Sequence, residues 1–229
     1  MKNVIITGAS RGIGFELTNL FSEKGYKVIA LSRNISRLNI PNVTAYQLDI
    51  SCEKSILKTV KLILNDFSQV DILINNAGTL INKPFSQTSF NDFESIYKVN
   101  VFGLAELIRL LLSCFNENSH VVNISSIGGI GGSSKFPGLS AYSSSKGALN
   151  ILTEMLSEEF KDSGPSFNCL ALGAVQTEML EEAFPGFQAK VSPLEMANYI
   201  YNFSIEGNKL FNGKTIPIST SNPWLDLTY

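Results

Sequence analysis

Apolar and polar positions follow two regimes along this chain. Short apolar or alternating runs are separated by longer stretches in which apolar residues recur every three or four positions. The runs 4–6, 27–31, 43–48, 71–74, 120–124, 166–172 and 213–218 have strand length and composition. Between them lie helical stretches: 15–24, one capped by Ser51 and running through Phe67, 90–115, one capped by Ser140 and running through Phe160, and one starting at Pro193. Seven strands alternating with helices predict an α/β fold, a doubly wound parallel sheet with helices on both faces. A length of 229 residues suits a single domain, 1–229, with a sizeable core. The second half of the long third helix, 101–115, is apolar around most of its circumference apart from Glu106, Arg109 and Ser113. Such a helix has to be covered on more than one side, by the core or by a second subunit.

Composition narrows the function classes. Hydrophobic residues are 44%, charged residues 17% and the net charge is −2, ordinary for a globular protein and without the basic surplus that nucleic acid attracts. Cys52, Cys114 and Cys169 are odd in number and far apart, with no Cys-x-x-Cys, so neither a disulfide framework nor a metal site is expected and a reducing cytoplasm fits best. The N-terminus runs from Lys2 directly into Val4-Ile5-Ile6 and a glycine turn, without the length of a signal peptide or a membrane span.

Candidate chemistry sits where strands end. Thr7-Gly8-Ala9-Ser10-Arg11-Gly12-Ile13-Gly14 puts three glycines between a strand and a helix N-terminus, whose free N–H groups and dipole suit a pyrophosphate. The spacing is Thr-Gly-x-x-x-Gly-x-Gly; Leu17 stands where the Gly-x-Gly-x-x-Gly fingerprint would have its third glycine. An ordinary tight turn is the other reading of that pattern. An NAD site commonly has an acid at the end of the second strand to accept from the ribose 2′-hydroxyl, whereas an arginine suits a 2′-phosphate. Ser32 and Arg33 stand there, with Arg11 in the glycine turn, which favours NADP(H) over NAD(H).

Tyr142 and Lys146 are four residues apart, so on a helix they share one face. A neighbouring ammonium favours phenolate and brings a tyrosine down from its ordinary pKa of about 10, making a tuned proton donor and acceptor. The same spacing also occurs by chance on helix surfaces. Ser125 and Ser126 close the fifth strand. His120, the sole histidine, opens that strand about 17 Å from its far end at roughly 3.3 Å per residue, so a Ser-His-Asp hydrolase lacks its base. No Gly-x-Ser-x-Gly elbow is present.

Taken together, the glycine turn, Asn75-Asn76-Ala77-Gly78, Asn100, Ser126 and Tyr142-Ser143-Ser144-Ser145-Lys146 resemble the classical short-chain dehydrogenase/reductase family over nearly the whole chain. The resemblance implies a Rossmann-type sheet and hydride transfer between a nicotinamide and a small carbonyl or alcohol substrate. It implies Tyr142 as general acid/base, Lys146 lowering the phenol's pKa and holding the ribose, Ser126 rather than Ser125 donating to the substrate oxygen, and Asn100 supporting a water chain to the lysine. It places cofactor contacts at Gly8, Ser10, Arg11, Gly12, Ile13, Gly14, Arg33, Asp49, Ile50, Asn76, Ala77, Gly78, Val175 and Thr177, besides Tyr142 and Lys146. It assigns 178–192, with Met179, Leu180, Phe184 and Phe187, to a variable lid, consistent with an apolar substrate or with ordinary packing. It further implies a homodimer or homotetramer joined through 101–115 and the Tyr142 helix. This sequence departs from the family in a longer serine-to-tyrosine loop, in Leu172 where a proline is usual, and in an individual tail, 219–229, with Trp224. The competing class is a non-enzymatic NADP(H)-sensing protein acting through a protein partner, which would not need the Tyr, Lys, Ser and Asn set.

Overall fold

A computed structural model of the chain describes residues 1–219; the tail beyond, 220–229 with Trp224, lies outside the described residues. Seven strands, β1 (Asn3–Thr7), β2 (Lys27–Ser32), β3 (Val43–Gln47), β4 (Ile72–Asn75), β5 (His120–Ser126), β6 (Ser166–Leu172) and β7 (Lys214–Ile218), form one sheet in the order β3-β2-β1-β4-β5-β6-β7. Every pairing is parallel. The chain winds outward from β1 to β3, returns to the middle at β4, and winds the other way to β7. The order therefore reverses between β1 and β4, the point at which doubly wound sheets open a crevice at their carboxyl ends.

Side chains alternate across the sheet and build one core on each face. Val4, Ile6, Val28, Ala30, Ile74 and Val122 pack with Leu17 and Phe21 of α1 (Gly12–Glu23) and with Ala197 and Ile200 of α7 (Pro193–Glu206). On the other face Ile5, Ile29, Leu73 and Val121 pack with Ile63 of α2 (Glu53–Asp66), Leu104 and Leu107 of α4 (Gly103–Leu111) and Leu149 of α5 (Ser140–Glu159). The central strands are buried on both sides, which is why β1 and β4 read as continuous apolar runs.

Several expected boundaries move. The first helix starts at Gly12 rather than Phe15, so the glycine turn itself supplies the helix N-terminus. Ser51 does not cap α2; Cys52 occupies the N-cap without a side-chain bond, because the Ser51 hydroxyl and amide both donate to Asp49 Oδ1. Ser140 is already helical behind Leu139 at the N-cap, and its buried hydroxyl has no partner. The long stretch 90–115 is not one helix. α3 (Phe90–Tyr97), opened by a Ser89/Asp92 capping box, widens into a π-helical turn over Lys98–Phe102 before α4, and the segment finishes in a short 3-10 turn, Leu112–Cys114. Single π turns within helices recur at functional sites, and this one contains Asn100. Among the described residues no helix is long and apolar enough to cross a membrane.

Candidate active site

The carboxyl ends of the strands open into a cleft of about 760 Å³. Its floor is the glycine turn. Gly8 has φ +70°, and at Gly14 an added Cβ would lie 2.3 Å from the Gly8 carbonyl oxygen, so only glycine lets the turn fold back on itself. The N-terminus of α1 carries no side-chain cap and no acid in its first turn, and Gly12 and Ile13 line the cleft there. The turn is held on two sides. Ser32 Oγ donates to Ser10 Oγ at 2.8 Å from the end of β2, and Asn76 Nδ2 donates to the Thr7 carbonyl at 3.0 Å from the end of β4. Thr7 Oγ1 accepts from the Ala77 amide at 2.9 Å, which fixes Asn76-Ala77-Gly78 beside the turn.

Ser126, Tyr142 and Lys146 converge on the same cleft from the end of β5 and the first two turns of α5. The Ser126 hydroxyl acts on the phenol of Tyr142 in the direction that lowers its pKa, and it accepts from the Gly128 amide at 3.2 Å. Its neighbour Ser125 is turned inward, its hydroxyl donating to the Lys146 carbonyl at 3.2 Å. Lys146 is 3% exposed, and its ammonium donates to the Ile124 carbonyl at 2.8 Å. Burial with no facing carboxylate pushes it down from 10.5 to about 8. The ammonium lies 5.8 Å from the centre of the Tyr142 ring.

Sequence spacing led us to expect a phenol lowered by that ammonium. The structure reverses the direction: burial raises the Tyr142 pKa, and the Ser126 hydroxyl offsets only part of the rise. In the bare cleft the phenol is therefore protonated at neutral pH, the form a proton donor requires.

Asn100 is fully buried in the π turn. Its Oδ1 accepts from the Thr79 amide at 2.8 Å, and its Nδ2 donates to the Thr79 carbonyl and to Ser145 Oγ, both at 3.0 Å. Its side chain thus clamps the β4 end to the Tyr142 helix rather than facing solvent, and an ideal Cβ on Gly78 would lie 3.5 Å from Asn100 Oδ1 and 3.6 Å from Lys146 Nζ. Thr79 and Ser145 were not foreseen; both are ordinary polar residues that no pattern marks.

At the far end of the cleft stand Arg33, Asp49 and Ile50. Arg33 is exposed at the end of β2, and its charge helps hold Asp49 below the usual carboxylate range, after the larger effect of the Ser51 hydroxyl. Arg11, expected to be free for a phosphate, is instead paired with Glu182 of α6 (Glu178–Ala183), Nη1 to Oε1 at 2.5 Å. That bond raises Arg11 and lowers Glu182. Sequence gave no sign of the pairing, which spans the turn and the lid segment. Thr177 caps α6 by accepting from the Leu180 amide at 3.3 Å, and Val175 is tied to Val191 by an isolated β-bridge; both still line the cleft. His120 lies outside the cleft, bonded to the Ser204 carbonyl and Asn168, each at 3.0 Å, with burial pushing it down to about 4. The three cysteines are free, and no cluster of potential metal ligands occurs among the described residues.

Comparison with known proteins follows the same outline. The short chain dehydrogenase family model matches residues 2–187. An uncharacterized oxidoreductase of Staphylococcus saprophyticus is 30% identical over 191 residues, covering 79% of this chain and 76% of the relative. Among solved structures, 4-hydroxyisoleucine dehydrogenase complexed with NADH superposes with a TM-score of 0.85 at 26% identity, covering 96% of this chain and 97% of that one. ElxO with NADP bound superposes with a TM-score of 0.81 at 29% identity, covering 95% of this chain and 96% of that one.

Proposed function

This chain belongs to the short chain dehydrogenase family, and from that premise we propose that it is an NADP(H)-dependent oxidoreductase interconverting a small carbonyl and its alcohol, with Tyr142 as general acid/base. The observation that carries the reading is the convergence of Ser126, Tyr142 and the buried ammonium of Lys146 in one cleft with an uncapped helix N-terminus. The residues present fit a dinucleotide: the cradle at Gly14 is filled by any Cβ, and the free N–H groups of α1 suit a pyrophosphate. Gly8, Ser10, Gly12 and Ile13 would hold that group, with Asn76, Ala77, Gly78, Val175 and Thr177 along the ribose and nicotinamide, and Asp49 and Ile50 toward the adenine.

When bound, the nicotinamide supplies or accepts the hydride. Ser126 orients the substrate oxygen by donating its hydroxyl hydrogen, and Tyr142 delivers the proton to that oxygen in reduction or takes it in oxidation. Lys146 has its one described partner in the Ile124 carbonyl, which leaves N–H donors for a ribose and keeps positive charge beside the phenol. Asn100 holds the β4 end and α5 in register and so positions this set.

Two finer points belong to the same reading. Arg33, exposed at the end of β2 with no acid at Ser32, supports preference for a 2′-phosphate, with Arg11 joining it when released from Glu182. Exposed Phe102, Ile151 and Met155 on the outer faces of the π turn and α5 support a homodimer or homotetramer. The test of the central claim is Tyr142→Phe, which removes one oxygen and keeps the ring. We expect NADPH binding by calorimetry to be nearly unchanged and turnover to fall 10²-fold or more, since general acid/base assistance is worth about 10²–10⁴-fold. Wild-type turnover in that variant would leave the non-enzymatic, cofactor-sensing alternative.

A further inference from the structure

Three segments wall the cleft beyond Ser126 and Tyr142: the loop after β4, the loop 127–139, and the stretch 173–192 that contains α6. The first contributes Leu80, the second Ile127 and Phe136, and the third Met179, Phe184 and Phe187. Phe136 and Phe187 are 54% and 50% exposed, two half-solvated rings on different walls of one cleft. An apolar surface of that kind at the mouth of a pocket marks a place where apolar matter docks.

The charged side chains that line the cleft lie elsewhere. Arg33 and Asp49 stand at the ends of β2 and β3, three and four strands from β5, about 14 and 19 Å away at roughly 4.8 Å per strand. Arg11 and Glu178 stand at the N-terminus of α1, where Glu178 Oε2 would lie 3.5 Å from a Cβ on Gly12. Two cations are exceptions: the buried ammonium of Lys146 beside Tyr142, already bonded to the Ile124 carbonyl, and Lys190, an exposed residue on the strap that Gln176 holds by accepting from the Ala189 amide at 2.7 Å.

The walls are also joined to one another before any substrate arrives. Asn82 Nδ2 donates to the Ala183 carbonyl at the end of α6, at 2.9 Å. Its Oδ1 packs on Gly138, which has φ +88° and where an added Cβ would lie 2.1 Å from that oxygen. The Lys83 amide donates to the Gly138 carbonyl at 2.9 Å. One asparagine thus ties all three walls, so the apolar mouth is a built surface rather than a loose flap.

Resting on the reductase reading above, we infer that the substrate is an uncharged ketone or aldehyde whose carbonyl sits at Ser126 and Tyr142 and whose apolar arm, aryl or alkyl, lies between Phe136 and Phe187. Reduction would break the C=O π bond and form a C–H bond with the hydride that a bound reduced nicotinamide supplies, leaving that group oxidised by two electrons, and an O–H bond with the proton of Tyr142, whose phenolate would then take a proton from solvent.

The test is NADPH oxidation, followed by absorbance, on methyl n-alkyl ketones of increasing length and on their ω-carboxylated counterparts. The expected result is a kcat/KM that rises about three- to fourfold per methylene until the cleft is filled, with each keto acid at least about tenfold below its uncharged partner because its carboxylate is desolvated against apolar walls. Phe136→Ala and Phe187→Ala, both at exposed positions, should flatten the length dependence. A flat series, or a preference for the keto acids that disappears in Lys190→Gln, would overturn the inference and leave the reductase reading standing. No turnover on either series, with NADPH binding intact, would take down the reductase reading and this inference with it.

Discussion

Removing the ammonium of Lys146 should change the pH dependence of stability in a way that its catalytic role alone would not. The side chain is 3% exposed, and burial lowers it from 10.5 to about 8. At pH 7 both the folded and the unfolded chain carry the proton, so the folded state bears the full cost of a poorly solvated charge, about 3 kcal/mol at 1.36 kcal/mol per unit. Between pH 8 and 10.5 the unfolded chain still holds the proton and the folded chain releases it; stability rises with pH wherever the unfolded state binds more protons, so the cost fades through that window. Lys146→Met lacks this titration. It also orphans the Ile124 carbonyl, which the ammonium meets at 2.8 Å, a loss of about 1–3 kcal/mol that does not vary with pH. Their difference should therefore shift by about 2 kcal/mol in favour of the wild type between pH 7 and 9.5, or about 4–8 °C in melting temperature for a chain of this size. Thermal unfolding of both proteins without cofactor, across that range, measures it. Parallel melting curves would show that the ammonium is not held in a low-dielectric site, and the account of Lys146 as a buried charge kept for the cleft would fail.

Three other outcomes follow from the site. Arg33→Ala should weaken NADPH about tenfold in calorimetric titration and leave NADH unchanged, whereas Glu182→Gln should tighten NADPH only a few-fold, because the pair it breaks is exposed and such pairs are worth about 0–1 kcal/mol; equal or tighter NADH binding by the wild type would remove the case for a 2′-phosphate site. Ser126→Ala should lower turnover about 10²-fold and Ser125→Ala far less, since the Ser125 hydroxyl is turned inward to the Lys146 carbonyl; the opposite ranking would reassign the hydroxyl. Light scattering at micromolar concentration should give a dimer or tetramer, and a monomeric mass would leave Phe102, Ile151 and Met155 as solvated surface.

The sheet was legible because both of its faces are buried. Apolar runs such as Val4-Ile5-Ile6 and Ile72-Leu73-Ile74 have no polar position to blur them, and each ends in a turn whose residue types are demanded by backbone geometry. Helix ends were less legible because several side-chain caps compete locally. Ser51 looks like a cap in one dimension but is captured by Asp49, and the break in 90–115 is invisible to periodicity because the π turn over Lys98–Phe102 widens the helix without ending it. The lid contacts were not legible at all: Arg11 with Glu182, and Asn82 with Ala183, join residues 171 and 101 positions apart.

Tyr142 shows why spacing locates a group more readily than it tunes one. The i, i+4 relation does bring the phenol and the ammonium to one cleft, but the direction of the phenol's shift depends on how much water the cleft excludes, and that is a property of the walls. At 5.8 Å from the ring centre the ammonium stabilises phenolate through a long contact, while burial penalises the phenolate on all sides and wins. The same burial acts on Lys146 in the opposite sense, lowering it to about 8, so two groups of nearly equal ordinary pKa, 10.0 and 10.5, are driven apart. Water exclusion thus keeps the phenol protonated at neutral pH, the form a proton donor requires, while it brings the ammonium down toward the neutral range. Under the proposed mechanism the walls that exclude water, with Phe136, Phe184 and Phe187 among the residues lining the cleft, would therefore act on the acid/base chemistry as well as on substrate recognition.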